Sequence, residues 1–322
     1  MAKNISGETV VITGAFSYTG KYVSHLLLSR GYKVRTLTYH PERENPFGSN
    51  VQVFPYAFDD PEQLARTLHG ASTLINTYWV RFPREASTFE IAVQNTRALI
   101  AAAKSAGVRR IVHVSIAKPS LESHLGYYRG KAQLEQAVIE SGLAYTILRP
   151  TVIFGLEDIL INNIVWFVRH FPAFAIPGDG RYGIRPIFVE DMARLLADAV
   201  ERDGNAVLNA VGPETCTFED LVKQIAAQLQ RRVRLVHVPM PMVYAATRLA
   251  GWFVGDVILT WEEYQGLMGG LLAPDGPATG STRLSEWLAA NREHVGARYA
   301  SEVARHYARI PTKARALEAQ FR

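Results

Sequence analysis

Two groups of residues in this sequence have the types and spacing to do chemistry. Tyr127 stands four residues before Lys131 in a stretch that reads as the start of a helix, so both side chains leave from one face. A phenol with an ordinary pKa near 10 ionises more readily beside an ammonium. Such a pair can move a proton at a carbonyl that is exchanging hydride, help that is worth about 10² to 10⁴ in rate. The second group is the run Thr13-Gly14-Ala15-Phe16-Ser17-Tyr18-Thr19-Gly20, which follows an apolar segment and opens a helical one. At such a turn small residues let a pyrophosphate approach the backbone, and the first N–H groups of the helix face its charge. Gly14 and Gly20 keep the outer spacing of a dinucleotide fingerprint, while Ser17 takes the middle position.

Both groups need a scaffold, and residues 9 to 150 supply one by alternating β-type runs with helical patterns. Strands are expected at Thr9–Ile12, Lys33–Thr38, Val51–Phe54, Thr73–Asn76, Arg110–Val114 and Ala144–Leu148, with helices at Gly20–Arg30, Pro61–Leu68, Phe89–Ala106 and Tyr127–Ser141. Gly31, Gly70, Gly107 and Gly142 each follow a helical run, where a residue tolerant of positive φ ends a helix most easily. The pattern predicts an α/β fold: a Rossmann-type doubly wound parallel sheet with a smaller, mainly helical C-terminal lobe. Residues 1–155 form the nucleotide-binding part, starting with the domain's own first strand and no signal peptide. Residues 185–212 return to its sheet through Ile187–Val189 and Ala206–Val211, around a helix at Asp191–Glu201. Residues 156–184 and 213–311 form a substrate lobe with a helix capped by Thr217, and 312–322 are a basic tail.

Composition narrows the partners. A net charge of +5 over 322 residues, without a long basic block, argues against nucleic acid and suits an anionic small molecule. The one cysteine, Cys216, excludes a disulfide framework and points to the cytoplasm; beside the Thr217 cap it is either a buried structural thiol or an activated one. Nine scattered histidines without ligand spacing give no metal site. The apolar stretch Val236–Leu259 is too interrupted to span a bilayer and reads as a buried or amphipathic helix, with peripheral membrane contact as the alternative.

No acidic residue lies between Lys33 and Pro41, whereas His40 and Arg43 follow the second strand, which favours the 2′-phosphate of NADP over NAD. Tyr78, Trp79, Arg81 and Phe82 follow the fourth strand at the mouth of the expected cleft and either line a substrate pocket or cover the sheet edge. Arg181, Tyr182 and Arg185 either clamp an anionic substrate such as a diphosphate or belong to a loop of solvated charges.

The Gly14…Gly20 loop, Val112-His113-Val114-Ser115, Tyr127–Lys131 and Leu148-Arg149-Pro150-Thr151 resemble the extended and atypical short-chain dehydrogenases/reductases, and the likeness runs over nearly the whole chain, through Ile187-Phe188-Val189-Glu190-Asp191. The chain is most similar to the sugar-nucleotide epimerases/dehydratases and to NAD(P)H-binding proteins such as the NmrA-like regulators and the accessory subunit of respiratory complex I. That resemblance implies Gly14, Ser17 and Gly20 at the pyrophosphate and Phe58 and Asp59 near the adenine, with Phe16, Tyr18 and Thr19 of the same loop also expected at the cofactor. It implies Asn76 and Thr77 near the cofactor ribose and Pro150, Thr151 and Val152 bordering the nicotinamide, with Tyr78 and Val114 also expected at the cofactor. Tyr127 is then the acid/base, Lys131 the residue on the nicotinamide ribose, and dimers form through helices such as Phe89–Ala106 and Tyr127–Ser141. Two departures stand out. The family's active hydroxyl falls where Ile116-Ala117 stand here, so that it is either missing or supplied by Ser115 or Ser120, and Tyr39 occupies a place where many NADP-binding members carry arginine. The expected activity is an NADP(H)-dependent oxidoreductase acting on a carbonyl, an alcohol or a nucleotide sugar; the alternative is a non-catalytic regulatory or assembly protein that binds the same cofactor.

Overall fold

The computed structural model describes residues 7–84 and 87–306. The expected N-terminal beginning, the end of the substrate lobe beyond 306 and the basic tail 312–322 lie wholly or partly outside the described residues. The strands β1 (Thr9–Thr13), β2 (Lys33–Thr38), β3 (Val51–Pro55), β4 (Ala71–Asn76), β5 (Arg110–Val114) and β6 (Ala144–Pro150) join Ala206–Ala210 in one sheet of seven strands. Every pairing in it is parallel, in the order Ala206–Ala210, β6, β5, β4, β1, β2, β3. The chain leaves β1 toward β2 and returns to its other side at β4, so the order reverses between β1 and β4 and opens a crevice at the carboxyl ends of the strands.

The apolar runs are nearly continuous because helices cover both faces. Val10 and Ile12 pack with Val23 and Leu27 of α1 (Tyr18–Ser29) and Leu196 of a later helix on one side. Val11 faces the other way, with Leu64 of α2 (Pro61–Leu68), Leu99 of α3 (Phe89–Ser105) and Val138 of α4 (Gly126–Glu140). The glycines expected to end helices all have positive φ, from 74° at Gly70 to 86° at Gly31.

Beyond β6 the chain builds a second core around Phe154, Val165, Ile184, Phe218, Leu221 and Trp287. Its helices are α5 (Leu160–His170), α6 (Val189–Glu201, which carries Leu196 back to the sheet), α7 (Phe218–Gln228), α8 (Met240–Val254), α9 (Trp261–Met268), α10 (Leu284–Ala290) and α11 (Glu302–His306). Two expectations need correction. Ile187–Phe188 does not rejoin the large sheet: it pairs with Ile153–Phe154 in a separate two-residue ladder, because Ala206–Ala210 already occupies the edge beside β6. The stretch from Val236 is not one helix: Arg234–Val238 is a strand parallel to Ala173–Pro177, and α8 starts only after Pro239. Nor is α8 buried. Met242, Leu249 and Trp252 are 62%, 61% and 76% exposed, although among the described residues no helix is long and apolar enough to cross a membrane.

The two cores are tied by Asp191 at the start of α6. Its carboxylate accepts from the amides of Ser281 (2.9 Å) and Thr282 (2.8 Å), from the Ser281 hydroxyl and from Arg194. Burial alone would raise its pKa, but those donors outweigh burial and hold it below the ordinary aspartate value. Asp191→Ala leaves two amides without their acceptor and is predicted to cost about 2–4 kcal/mol in urea unfolding. The bonds need the carboxylate. Their contribution is therefore complete above the unfolded aspartate pKa of about 4 and is lost as pH falls through the lower folded value. An Asp191→Asn protein should show a shallower acid loss of stability over that interval, and an unchanged acid limb would refute this role.

Candidate functional site

The turn from β1 into α1 is held on all sides. The amide of Gly14 donates to the Leu37 carbonyl (2.8 Å) and that of Ala15 to the Thr36 hydroxyl (2.9 Å), which seats the loop on β2. Ser17 caps α1, its hydroxyl accepting from the Gly20 amide (3.2 Å), so the amides of Tyr18 and Thr19 are left without helical partners. No acidic side chain lies in that first turn. Gly20 cannot be replaced without movement, because a Cβ there would lie 2.0 Å from the Gly14 carbonyl oxygen.

A cavity of about 580 Å³ begins at this turn and runs along the carboxyl ends of the strands. Of the residues expected to hold a cofactor, Gly14, Phe16, Ser17, Tyr18, His40, Arg43, Thr77 and Tyr78 line it. Thr19, Gly20, Phe58, Asp59, Asn76, Val114, Lys131, Pro150, Thr151 and Val152 do not. Gly20 acts beneath the loop. Asn76 is fully buried; its carbonyl oxygen accepts from the Tyr78 amide, and its amide group meets His113 Nδ1 at 3.1 Å. Phe58 stacks on Tyr56 at 4.7 Å, and it is Tyr56 with Tyr39 that reaches the cavity. Thr151 and Val152 are turned away, the Thr151 hydroxyl donating to the Arg185 carbonyl and the Val152 carbonyl accepting from Ile187.

The cleft suits a phosphorylated dinucleotide on its own terms. It offers free first-turn amides, an approach kept open by Gly20, and Arg43, whose buried Nε has no protein partner. His40 lies 3.4 Å from Glu42, beside it.

At the other end of the cavity lies Tyr127, in the first turn of α4. The cap residue of α4, Leu125, offers no side-chain acceptor; instead Glu262 of α9 accepts from the amides of Gly126 and Tyr127, both at 3.2 Å. Burial, reinforced by Tyr128 and Glu263, raises the Tyr127 pKa above the ordinary 10, so the phenol is protonated at neutral pH. Lys131 is 2% exposed; its ammonium donates to the Val114 carbonyl (2.8 Å) and sits 4.7 Å from the centre of the Trp79 ring. Burial pushes its pKa down to about 7 against the opposing pull of Glu135. Trp79 also meets Tyr127 edge-on at 5.5 Å and stacks on Phe89 at 5.7 Å. It can do so because Gly130 leaves room, a Cβ there falling 2.7 Å from the indole. The structure thus packs the indole against both members of the Tyr–Lys pair. The Ser115 hydroxyl is buried without a partner and is not on the cavity wall.

Among the residues expected to meet a substrate, Trp79 and Arg81 line the cavity and Arg181 and Arg185 do not. Arg185 is a structural tie, donating to the carbonyls of Gly212, Pro274 and Gly276. Arg81 is clamped by Glu263 (2.5 Å) and Glu302 (3.1 Å); burial works against its charge, but the two carboxylates hold its pKa above the ordinary range. Cys216 is half-buried, its thiol pushed up to about 11 by burial and then by Asp220 and Glu214, which fits a structural thiol and not an activated one. Lys21, Glu157, Glu302 and Arg305 also line the cavity and were not anticipated. Lys21 stands one helical turn after Ser17, a spacing that points to the same face. The other three come from segments far along the chain, with no local signal.

Residues 14–158 match the family model described as NAD(P)H-binding. The chain is 25% identical over 266 residues to the mitochondrial NADH dehydrogenase [ubiquinone] 1 alpha subcomplex subunit 9 of Arabidopsis thaliana, covering 79% of this chain and 66% of that protein. It therefore spans slightly less than two thirds of that relative's length. It is 23% identical over 262 residues to the photosystem II assembly factor Ycf39 of Cyanophora paradoxa, covering 77% of this chain and 78% of that one. Among solved structures, the Citrobacter sp. triphenylmethane reductase complexed with NADP(H) superposes with a TM-score of 0.72 at 18% identity, over 89% of this chain and 99% of the other. With the strand order and the β1–α1 turn, these likenesses identify residues 14–158 as an NAD(P)H-binding domain on a Rossmann-type α/β fold.

Proposed function

We propose that this protein is an NADP(H)-dependent oxidoreductase that acts on a carbonyl compound in the cleft described above. One observation carries the reading: a single cavity starts at the Gly14–Tyr18 turn, passes His40 and Arg43, and reaches the ring of Tyr127. In this reading residues 1–155 with 185–212 hold the nucleotide, and 156–184 with 213–311 shape the substrate side.

When bound, the nicotinamide supplies hydride chemistry. The first-turn amide of Tyr18 would hold the pyrophosphate, Arg43 and His40 the 2′-phosphate, and Tyr39 and Tyr56 would offer rings to the adenine. Tyr127, kept protonated by burial, donates its hydroxyl proton to the substrate oxygen. Lys131 biases that transfer as a positioning residue, its charge falling away as pH rises through about 7. Trp79 excludes water from the pair.

A second reading, a cofactor-binding assembly or regulatory protein without turnover, draws on two observations. The Lys131 ammonium is engaged by the Val114 carbonyl and Trp79, and the buried Ser115 does not line the cleft. The names of the relatives above, a respiratory-complex subunit and an assembly factor, favour it as well.

Calorimetry should detect binding of NADPH more tightly than NADH. Arg43→Ala is expected to weaken NADPH by about 1.5–3 kcal/mol, a charged hydrogen bond's worth, with little change for NADH. Equal losses for the two nucleotides would remove Arg43 from the 2′-phosphate. In a screen of carbonyl compounds with NADPH, Tyr127→Phe should lower kcat at least about 10²-fold while nucleotide affinity holds. Tight NADPH binding with no turnover across the panel would transfer the case to the second reading.

A further inference from the structure

A second cavity of about 390 Å³ lies behind the first, between α5, the strand Ala173–Pro177 and α8. Ile164, Phe167, Phe174, Val243 and Leu259 make its walls, and almost all of its surface is apolar. Its few polar groups are engaged with the protein. The Asn163 amide is bonded to Ala300 through both its oxygen and its nitrogen, the Tyr264 hydroxyl donates to Thr247, and Glu263 holds Arg81. At one end Ala173, Ala175 and Ala246 are exposed, so small side chains form an entrance. At the other end the walls include Arg81 and Glu302, which also line the nucleotide cleft. The cavity therefore reaches from the surface to the Arg81 and Glu302 wall that it shares with the cleft lined by Tyr127.

We propose that this cavity binds the hydrocarbon tail of an amphiphilic substrate, an acyl or isoprenoid chain, with the polar end on the Arg81 side. The placement of the polar end rests on the cleft being the reaction site; binding of the tail does not. A sugar or a diphosphate here would lose its hydration and find no free donors or acceptors. A chain of methylenes would lose nothing and gain contact with every wall. The entrance fits such a ligand. Val243, Ala246 and Ala250, spaced by three and four residues, turn the inner face of α8 to the cavity, while Met242 and Leu249, seven apart, leave its outer face apolar and exposed. A ligand arriving from a lipid phase meets an apolar surface before it meets the cavity.

The test is a titration of the whole protein, without nucleotide, with the fluorescent polyene fatty acid cis-parinaric acid. Saturable binding at one site is expected. Displacement should improve at least tenfold from octanoate to hexadecanoate, and UDP-glucose should not displace. Ala246→Trp at the entrance and Ala250→Phe in the wall should each weaken the probe at least tenfold, with NADPH affinity retained as the check on folding. Absence of saturable binding, displacement that ignores chain length, or probe binding unmoved in both variants would each overturn the proposal. If the probe binds as described and NADPH does not, the tail site stands and the nucleotide reading falls; if NADPH binds and the probe does not, the tail site alone falls.

Discussion

The tightest approach at any glycine among the described residues is that of Gly20 to the carbonyl of Gly14. Where β1 ends, the chain must turn sharply enough for α1 to lie back across the sheet, and the helix's third residue then rests on the turn's own backbone. Nothing larger than hydrogen fits between them. That contact places the first-turn amides at the mouth of the crevice where the strand order reverses, so the position of the nucleotide cleft follows from it. The same helix packs Val23 and Leu27 onto Val10 and Ile12, which makes the sheet's core and the cleft's floor a single piece of structure.

Around this centre, carboxylates of the C-terminal half satisfy helix ends distant in sequence. Glu262 serves the amides that open α4, Glu214 serves the Ser285 amide at the start of α10, and Asp256 accepts from Glu302 and Val303 at the start of α11. Neither Leu125 nor Arg283, the residues before α4 and α10, has a side chain that caps. A carboxylate accepting from backbone amides is stronger than a neutral acceptor and tolerates little misplacement. The Glu262 contact ties the second core to α4, and with it the approach to Tyr127; the other two order the second core itself.

Arg81 divides what lies above Tyr127 into two chemistries. On one side the walls carry amides, His40, Arg43 and Lys21; on the other they are hydrocarbon. A buried guanidinium is costly unless it is paired on several sides. Glu263, Glu302 and the Ile258 carbonyl do this, and they hold Arg81 at the wall that the polar cleft and the apolar cavity share.

The sequence by itself determined the elements of the sheet and the residues of the turn. Strands buried on both faces leave apolar runs, glycines with positive φ mark helix ends, and the Gly14–Gly20 spacing is a property of one short segment; β2 and β5 have the bounds read from the sequence. Tertiary structure alone decided the rest. Whether Ile187 or Ala206 takes the edge beside β6 depends on a competition that no local pattern records. That Trp79 lies against Lys131 depends on Gly130 being on the facing helix, and that Arg185 ties three carbonyls while Arg81 reaches the cleft depends on where chain segments a hundred residues away come to lie. Backbone conformation is set by neighbours in sequence, whereas the partner of a charged or aromatic side chain is set by neighbours in space.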